Sequence, residues 1–298
     1  MKVVVTGGSG FLGRNLKKYR PEWVYLSSRE CNLLLLDQCD MILRKYNPDA
    51  IVHLAGMVGG IKDNLENQAE YYYKNTIINT NLIHSAHKNG VKRVLASLST
   101  CAFPDVLPLY PFKEEDMYNG LPAISNLSYG YTKRSLHMQV LSYRTQYGLN
   151  YSTFCPSNIY GPGDHFSSEK SHFIAALVTK VSMAANEDTI KLWGTGEPLR
   201  QYLYVDDLCD IIPKMLENHN TDIPIIVAPK DNLSIKEMAE KMVGISGKKL
   251  RIEFNGKLDG QYRKDGSNKK LLNLIGDYKF TTIEEGLKKT YEWYKENK

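Results

Sequence analysis

No apolar run in this sequence approaches the length of a membrane span, and Met1-Lys2-Val3-Val4-Val5-Thr6-Gly7 enters a strand-like segment without the pattern of a secretory leader. A membrane partner is therefore not expected. No CxxC pair occurs, and the five cysteines (Cys31, Cys39, Cys101, Cys155 and Cys209) are odd in number. That argues against a disulfide framework or a zinc site and suits a reducing cytoplasm. No cluster of metal-ligand residues stands out, so no metal is expected. Long basic blocks are missing too: the formal net charge is +5, but lysines and arginines are interspersed with acids. A nucleic-acid partner does not fit that pattern, whereas a small anion carrying phosphates does. Neither internal repeats nor low-complexity linkers interrupt the chain.

What is present points to an α/β protein. At 298 residues, 42% hydrophobic and 24% charged, the chain suits one large α/β unit with a smaller appendage. Short apolar runs at 3–5, 24–26, 51–54, 94–98 and 151–155 read as strands buried on both faces. Amphipathic stretches at 10–18, 37–46, 71–89 and 129–147 read as helices between them. Such alternation makes βαβ units and a doubly wound parallel sheet. Beyond about residue 160 the pattern loosens, with Gly, Pro and Asn clustered at 156–163 and 193–200. Residues 161–298 are expected to form mainly a smaller substrate-binding lobe, with some segments returning to the domain of residues 1–160. That lobe closes over the carboxyl ends of the parallel strands, where open α/β sheets bind ligands. The apolar stripes of the two long helices pack on the sheet or, in part, on a second copy of the chain, so a homodimer is the expected assembly.

Thr6-Gly7-Gly8-Ser9-Gly10-Phe11-Leu12-Gly13 follows the first strand and opens a helix. Gly7 allows the tight turn, Gly10 lets backbone approach a pyrophosphate, and Gly13 lets helix and strand pack closely. Glycine-rich turns are common, but this placement makes a Rossmann-type dinucleotide loop in which Phe11 and Leu12 also face the cofactor. The second strand ends in Leu26-Ser27-Ser28-Arg29, where an acid would favour NAD. Two hydroxyls and a guanidinium, with Arg14 as a second charge, form instead a clamp for a 2′-phosphate. The expected cofactor is therefore NADP(H), although Glu30 is close by and both arginines also suit a solvated surface.

The fourth strand ends in Ala96-Ser97-Leu98-Ser99-Thr100-Cys101, and Ser128-Tyr129-Gly130-Tyr131-Thr132-Lys133 begins a helix. Tyr129 and Lys133 are four apart and share one helical face, whereas Tyr131 lies on another. A lysine beside a phenol is expected to lower the phenol's pKa, so that Tyr129 can exchange a proton with a carbonyl while hydride moves. Lys133 can also hold the nicotinamide ribose, and Ser99 orients the substrate oxygen. YxxxK alone is weak in a chain with 20 tyrosines. The upstream serine and the glycine loop give it its meaning.

These residues mark an extended short-chain dehydrogenase, and further stretches narrow the likeness. The chain resembles GDP-L-fucose synthases through 54–61 (LAGMVGGI), Ser99-Thr100-Cys101, 156–162 (PSNIYGP), Ser171-His172 and Trp193-Gly194-Thr195-Gly196 through Arg200 to Val205-Asp206-Asp207. The resemblance implies an NADPH-dependent enzyme that reduces the 4-ketone of a GDP-linked 4-keto sugar, a 6-deoxyhexose or a heptose, with possible prior 3,5-epimerisation. It implies that Cys101 and His172 exchange protons at the carbons flanking the ketone. It further implies that Leu54, Ala55, Gly56, Ser97, Pro156, Asn158 and His172 line the cofactor. Thr100, Cys101, Asn158, Lys180, Trp193, Arg200 and Arg263 would then face the substrate, with Lys257-Leu258-Asp259-Gly260 and Lys264 enclosing the nucleotide. Cys101 and Ala102 stand where related dehydratases carry an acidic pair, so loss of water is disfavoured. Departures from the family pattern fall at Ser128-Tyr129-Gly130, His165 and Lys180, mostly around the sugar pocket. Two alternatives remain: a pure C4-reductase of an already epimerised GDP-4-keto-heptose, and a non-catalytic NADP(H)-binding regulator.

Overall fold

The computed structural model describes residues 1–166, 171–257 and 259–298. The amino-terminal part alternates strand and helix: β1 Val3–Thr6, α1 Phe11–Tyr19, β2 Val24–Leu26, α2 Leu36–Tyr46 and β3 Ala50–His53. The short α3 Ile61–Glu66 and the long α4 Gln68–Lys88 lead to β4 Arg93–Ser97, and α5 Leu127–Tyr147 leads to β5 Asn150–Pro156. Next come β6 Asn158–Tyr160, α6 Phe173–Met183, β7 Thr189–Leu192, β8 Leu199–Arg200 and β9 Tyr202–Tyr204. α7 Val205–Asn218 then leads into β10 Ile225–Val227. The remaining elements are β11 Leu233–Ser234, α8 Ile235–Ser246, β12 Arg251–Phe254, β13 Arg263–Lys264, α9 Lys269–Ile275 and α10 Ile283–Asn297.

Six strands form the central sheet in the order β2-β1-β3-β4-β5-β10, and every pairing is parallel. β1 and β3 are buried along their whole length: their apolar residues pack on both faces, and the terminal Thr6 and His53 satisfy each other by a hydrogen bond of 2.8 Å. Side chains alternate between faces: Val4 and Ile51 join one core with Leu82 of α4 and Leu136 of α5. Val5 and Val52 join the other with Leu16 of α1 and Leu208 of α7. The chain leaves β1 toward β2 on one side and returns as β3 on the other. This reversal opens a crevice at the carboxyl ends of β1 and β3, where the glycine loop and residues 54–56 meet.

β10, α7 and α9 pack into the domain of the central sheet although they follow residue 160. A buried cation secures α7 there. Arg93 donates to the carbonyls of Met215, Leu216 and His219 at the carboxyl end of the helix, where the last carbonyls lack a full set of intrahelical partners; Met215 also accepts from the His219 amide. A separate core of Ile174, Val178, Ile190, Met238, Met242 and Leu287 joins α6, α8 and α10 into a second lobe. Between the two, β8 pairs with β11 and β13, and Arg200 stands opposite Lys264 in register. Among the described residues no helix is long and apolar enough to cross a membrane.

Candidate active site

The glycine loop is bare backbone by steric necessity. Gly7 has φ +75°, and a Cβ there would lie 2.8 Å from the Ala55 nitrogen. A Cβ at Gly13 would strike the Gly7 carbonyl and approach the Gly8 Cα to 2.7 Å. The Gly10 amide donates to the Gly7 carbonyl at 2.9 Å, closing the turn in front of α1. Phe11 and Leu12 are half-buried at the helix start, where unpaired amides favour an anion. Arg14 does not stand free beside them: it donates to the carbonyls of Ser9 and Gly163, tying the loop to the 161–166 segment.

At the end of β2 the expected clamp is smaller than the sequence suggests. Ser27 gives both its amide and its hydroxyl to the Glu30 carboxylate, at 2.8 Å each, so its hydroxyl is spoken for. These hydrogen bonds also hold the Glu30 carboxyl below its ordinary range. Ser28 and Arg29 remain exposed at the crevice edge. Glu30 is thus folded back on its own turn.

Tyr129 and Lys133 lie on α5, buried at 7% and 5% exposure. Tyr131, at 37%, faces outward and stacks under Arg134. The expected loosening of the phenol by the lysine is not what the structure gives. Burial pushes the Tyr129 phenol well up, reinforced by the Cys101 sulfur, and Ser99 is the neighbour whose hydrogen bond pulls it back. Lys133 donates from Nζ to the Ser97 carbonyl at 2.8 Å, and its Nζ lies 5.7 Å from the Tyr129 ring centroid. Burial draws that ammonium down to about 8, opposed by Cys155 and Cys101.

Ser99 opens a single turn of 3-10 helix, Thr100–Ala102, and its Oγ accepts from the Cys101 amide at 3.2 Å. Thr100, the first residue of that turn, is buried at 3% exposure. Arg134 of α5 clamps the turn by donating to the Ala102 carbonyl at 2.6 Å. Gly130 permits this closeness: a Cβ there would strike the Cys101 carbonyl and come within 2.9 Å of Pro122. Cys101 is half-buried, and Lys264 donates from Nζ to its sulfur at 2.9 Å. Burial would raise the thiol, but Lys264, Ser99 and Arg200 outweigh it and bring Cys101 below the ordinary thiol range.

The other expected residues are distributed as follows. Leu54, Ala55 and Gly56 follow β3 beside the glycine loop; a Cβ at Gly56 would lie 3.9 Å from the Lys133 ammonium. Pro156 ends β5, and Asn158 donates from Nδ2 to the Gln201 carbonyl at 2.9 Å. His172 is exposed as the residue preceding α6. Buried Asp164 lies close enough to feel its charge, together with those of His165 and Arg14. Lys180 of α6 donates from Nζ to the Lys191 carbonyl of β7 at 2.7 Å. Trp193 is 68% exposed. Arg200 donates to the Leu199 carbonyl at 2.8 Å, and burial lowers its pKa, opposed by Tyr202 and Cys101. Arg263 is engaged by Asp265 through two hydrogen bonds, 2.7 and 3.1 Å, so its fork is not free for a diphosphate. Asp259 accepts from the amide and hydroxyl of Thr195 at 2.9 and 2.7 Å, tying the Trp193–Gly196 segment to this carboxylate. Leu258 lies outside the described residues.

Several supporting residues carried no signal in the sequence. Tyr71 of α4 packs edge-on against Tyr129, with centroids 6.2 Å apart, and donates its hydroxyl to Asp63 at 2.6 Å. Thr6, His53 and Asn79 form a buried chain of hydrogen bonds, 2.8 and 3.0 Å, beneath the crevice. Burial, helped by Lys133 and opposed by Asn79, holds His53 down at about 4, so it is neutral. These groups come from different elements, and only the tertiary fold brings them together.

A parallel sheet with a glycine loop at its point of reversal, and a Ser-Tyr-Lys trio at the strand ends beside it, is the architecture of the dinucleotide-dependent sugar-modifying oxidoreductases. Residues 3–227 match the model of the NAD dependent epimerase/dehydratase family. The chain belongs to that family and, within it, to the GDP-L-fucose synthases. It is 34% identical over 320 residues to the probable GDP-L-fucose synthase of Drosophila melanogaster, covering 99% of this chain and 98% of the relative. To the GDP-L-fucose synthase of Dictyostelium discoideum it is 34% identical over 306 residues, covering 99% and 95%. It is also similar to the crystal structure of a GDP-L-fucose synthetase from Naegleria fowleri bound to NADP, with TM-score 0.90, 31% identity, and 99% and 92% of the two chains covered.

Proposed function

We propose that this protein reduces the 4-ketone of a GDP-linked 4-keto sugar, a 6-deoxyhexose or a heptose, with NADPH, after epimerising the carbons on either side of that ketone. The observation that carries the proposal is the turn at 99–102. It brings the Ser99 hydroxyl to the Tyr129 phenol and, two residues on, holds the Cys101 sulfur against the Lys264 ammonium. Reduction and epimerisation therefore share one turn.

The residues present fit an NADP(H) cofactor. Side chains at Gly7 or Gly13 would collide with the backbone at 54–55 and 7–8, so these glycines keep the turn tight against its neighbours and let the amides at the start of α1 face an anion; Gly7, Gly10, Phe11, Leu12 and Gly13 would hold the pyrophosphate. Ser28 and Arg29 would hold the 2′-phosphate, since Glu30 is already satisfied by Ser27. Leu54, Ala55, Gly56, Ser97, Lys133, Pro156, Asn158 and His172 would surround the ribose and nicotinamide. When bound, NADPH supplies a hydride.

The chain's own residues then divide the proton traffic. Cys101, as thiolate, takes a proton from a carbon beside the ketone: the C–H bond breaks, an S–H bond forms, and the electron pair moves onto the C4 oxygen as an enolate. His172 returns a proton to that carbon from the opposite face, and solvent exchange restores both groups. For reduction, Ser99 orients the C4 oxygen and Tyr129 gives it the phenol proton. The Lys133 ammonium lies near enough to steady the phenolate that remains. Arg200 is the candidate for the diphosphate, and Thr100, Asn158 and Trp193 for the sugar side. Lys180 and Arg263 would have to leave their present partners to join it.

We further infer a homodimer and a cytoplasmic location. α4 packs along α5, and the pair leaves Tyr72, Tyr73 and Met138 exposed at 50%, 61% and 51%, apolar area suited to a second copy. Four buried, free thiols (Cys31, Cys39, Cys155 and Cys209) suit a reducing compartment. Sedimentation as a monomer at micromolar concentration would remove the dimer.

Incubation with GDP-4-keto-6-deoxymannose in D2O without NADPH tests the epimerase half. Deuterium entering C3 and C5 is the expected result. No exchange, with reduction intact, leaves a pure C4-reductase. Failure of any GDP-linked 4-keto sugar, hexose or heptose, to consume NADPH leaves a cofactor-binding regulator instead.

A further inference from the structure

Lys264 is 8% exposed, and its Nζ donates to the Cys101 sulfur at 2.9 Å. A buried ammonium needs a counter-charge. The neighbouring carboxylate in sequence, Asp265, is taken by the fork of Arg263. Among the described residues no other carboxylate makes an ion pair with Lys264. The partner the fold supplies is therefore sulfur.

How Lys264 arrives there is built into the strand pairing. β13 runs parallel to β8, with Lys264 opposite Arg200, so neighbouring side chains from two strands of the carboxyl-terminal part point to the same side. Both cations act on Cys101, which hangs from β4 of the central sheet. The Phe112 amide donates to the Asp265 carbonyl and the Gly266 amide to Gln201, at 2.9 and 2.8 Å, so the backbone that carries Lys264 is pinned on both sides.

We propose that Lys264 is a positioning residue for the epimerase half of the reaction: its ammonium pairs with the Cys101 sulfur and keeps it a thiolate, ready to take a proton from carbon. The chemistry asks for such a group. One thiol serves two carbons, so after the first abstraction the S–H proton must leave again before the second. A fixed cation at hydrogen-bond distance from the sulfur favours that loss. The groups facing Cys101 are Lys264 from β13, Arg200 from β8, Tyr129 and Lys133 from α5, Cys155 from β5, and Ser99 from its own turn. Only Lys264 among them is a cation in direct contact with the sulfur. This inference rests on the reading of Cys101 as the carbon base.

The test reads the thiol rather than turnover. Full-length protein with bound NADP+ is alkylated with iodoacetamide across a pH series, and modification at Cys101 is followed by peptide mass spectrometry. The wild type should react with a midpoint below the ordinary thiol value of about 8.5. Lys264→Gln should move that midpoint up by at least a unit, slowing alkylation near neutral pH about tenfold or more, and Lys264→Arg should largely restore it. Thiolate absorbance of the wild type minus Cys101→Ser, titrated over the same range, needs no Lys264 variant and must show the same low midpoint. An ordinary midpoint in that titration, or equal midpoints for wild type and Lys264→Gln, overturns the inference. If the thiol is low and lysine-dependent but no deuterium enters C3 or C5, the pairing stands and the epimerase reading fails. If deuterium enters while the midpoint is ordinary, the reverse holds.

Discussion

The Lys133 ammonium is anchored on Ser97, its Nζ 2.8 Å from the Ser97 carbonyl and 5.7 Å from the centre of the Tyr129 ring. That anchor keeps the charge beneath the ring at the cost of burying it, and burial brings the ammonium to about 8. The cation is complete below that value and is lost as pH rises through it. For the free enzyme, kcat/KM for reduction with varied NADPH should therefore fall above about pH 8. Lys133→Met should have low activity and lack that descending limb. A wild-type profile flat to pH 10, roughly the ordinary lysine range, would contradict the requirement for the ammonium.

The edge of β2 should decide between cofactors. Arg29→Ala removes a guanidinium that a 2′-phosphate would engage through charge-assisted hydrogen bonds worth about 1.5–3 kcal/mol. Affinity for NADPH is expected to drop by roughly 10- to 100-fold, with affinity for NADH little changed. Titration of intrinsic fluorescence with both nucleotides measures this directly.

Gly130 is a steric prediction. Ala at 130 would meet the Cys101 carbonyl and Pro122, so the 99–102 turn must shift. Overpacking of this kind costs about 1–3 kcal/mol, readable in urea unfolding. Because the displaced turn carries Cys101, deuterium exchange at C3 should suffer more than reduction of a substrate already epimerised.

Three buried histidines make the fold acid-sensitive. His53, His137 and His219 are each lowered to about 4, chiefly by burial. Their folded values lie below the unfolded value, so the unfolded chain binds protons first as pH falls, and stability is lost between roughly pH 6.5 and 4. At pH 5 the loss is on the order of 2 kcal/mol per histidine. Urea unfolding at pH 7 and pH 5 should show it, and His137→Phe should reduce the difference.

Much of this architecture is legible in the residues alone because it depends on local pattern. Short, largely apolar runs such as 3–5 and 51–54 read as strands covered on both faces, and Gly7 and Gly13 announce their turn by sitting between strand and helix. Spacing also separates Tyr129 from Tyr131, since four residues bring Lys133 under one ring and not the other. What sequence does not carry is which charges are already engaged. Ser27 hydrogen-bonds Glu30, Arg14 holds two carbonyls and Arg263 holds Asp265, so three expected phosphate ligands are committed within the protein. Likewise, helical spacing shows that Lys133 is near Tyr129 but not that burial outweighs its charge. Lys264 meets Cys101 across 163 residues of chain, a contact that no local pattern records.

The most direct test of the account is NADPH oxidation by wild type and Tyr129→Phe against GDP-4-keto-6-deoxymannose, with GDP-4-keto-heptose and UDP- and dTDP-linked 4-keto sugars alongside. The account predicts rapid oxidation by the wild type with a GDP-linked substrate, and a loss of about 100-fold or more in the variant, the scale for removing a positioned proton donor. Equal rates for the two proteins, or no oxidation with any GDP-linked ketone, would contradict it.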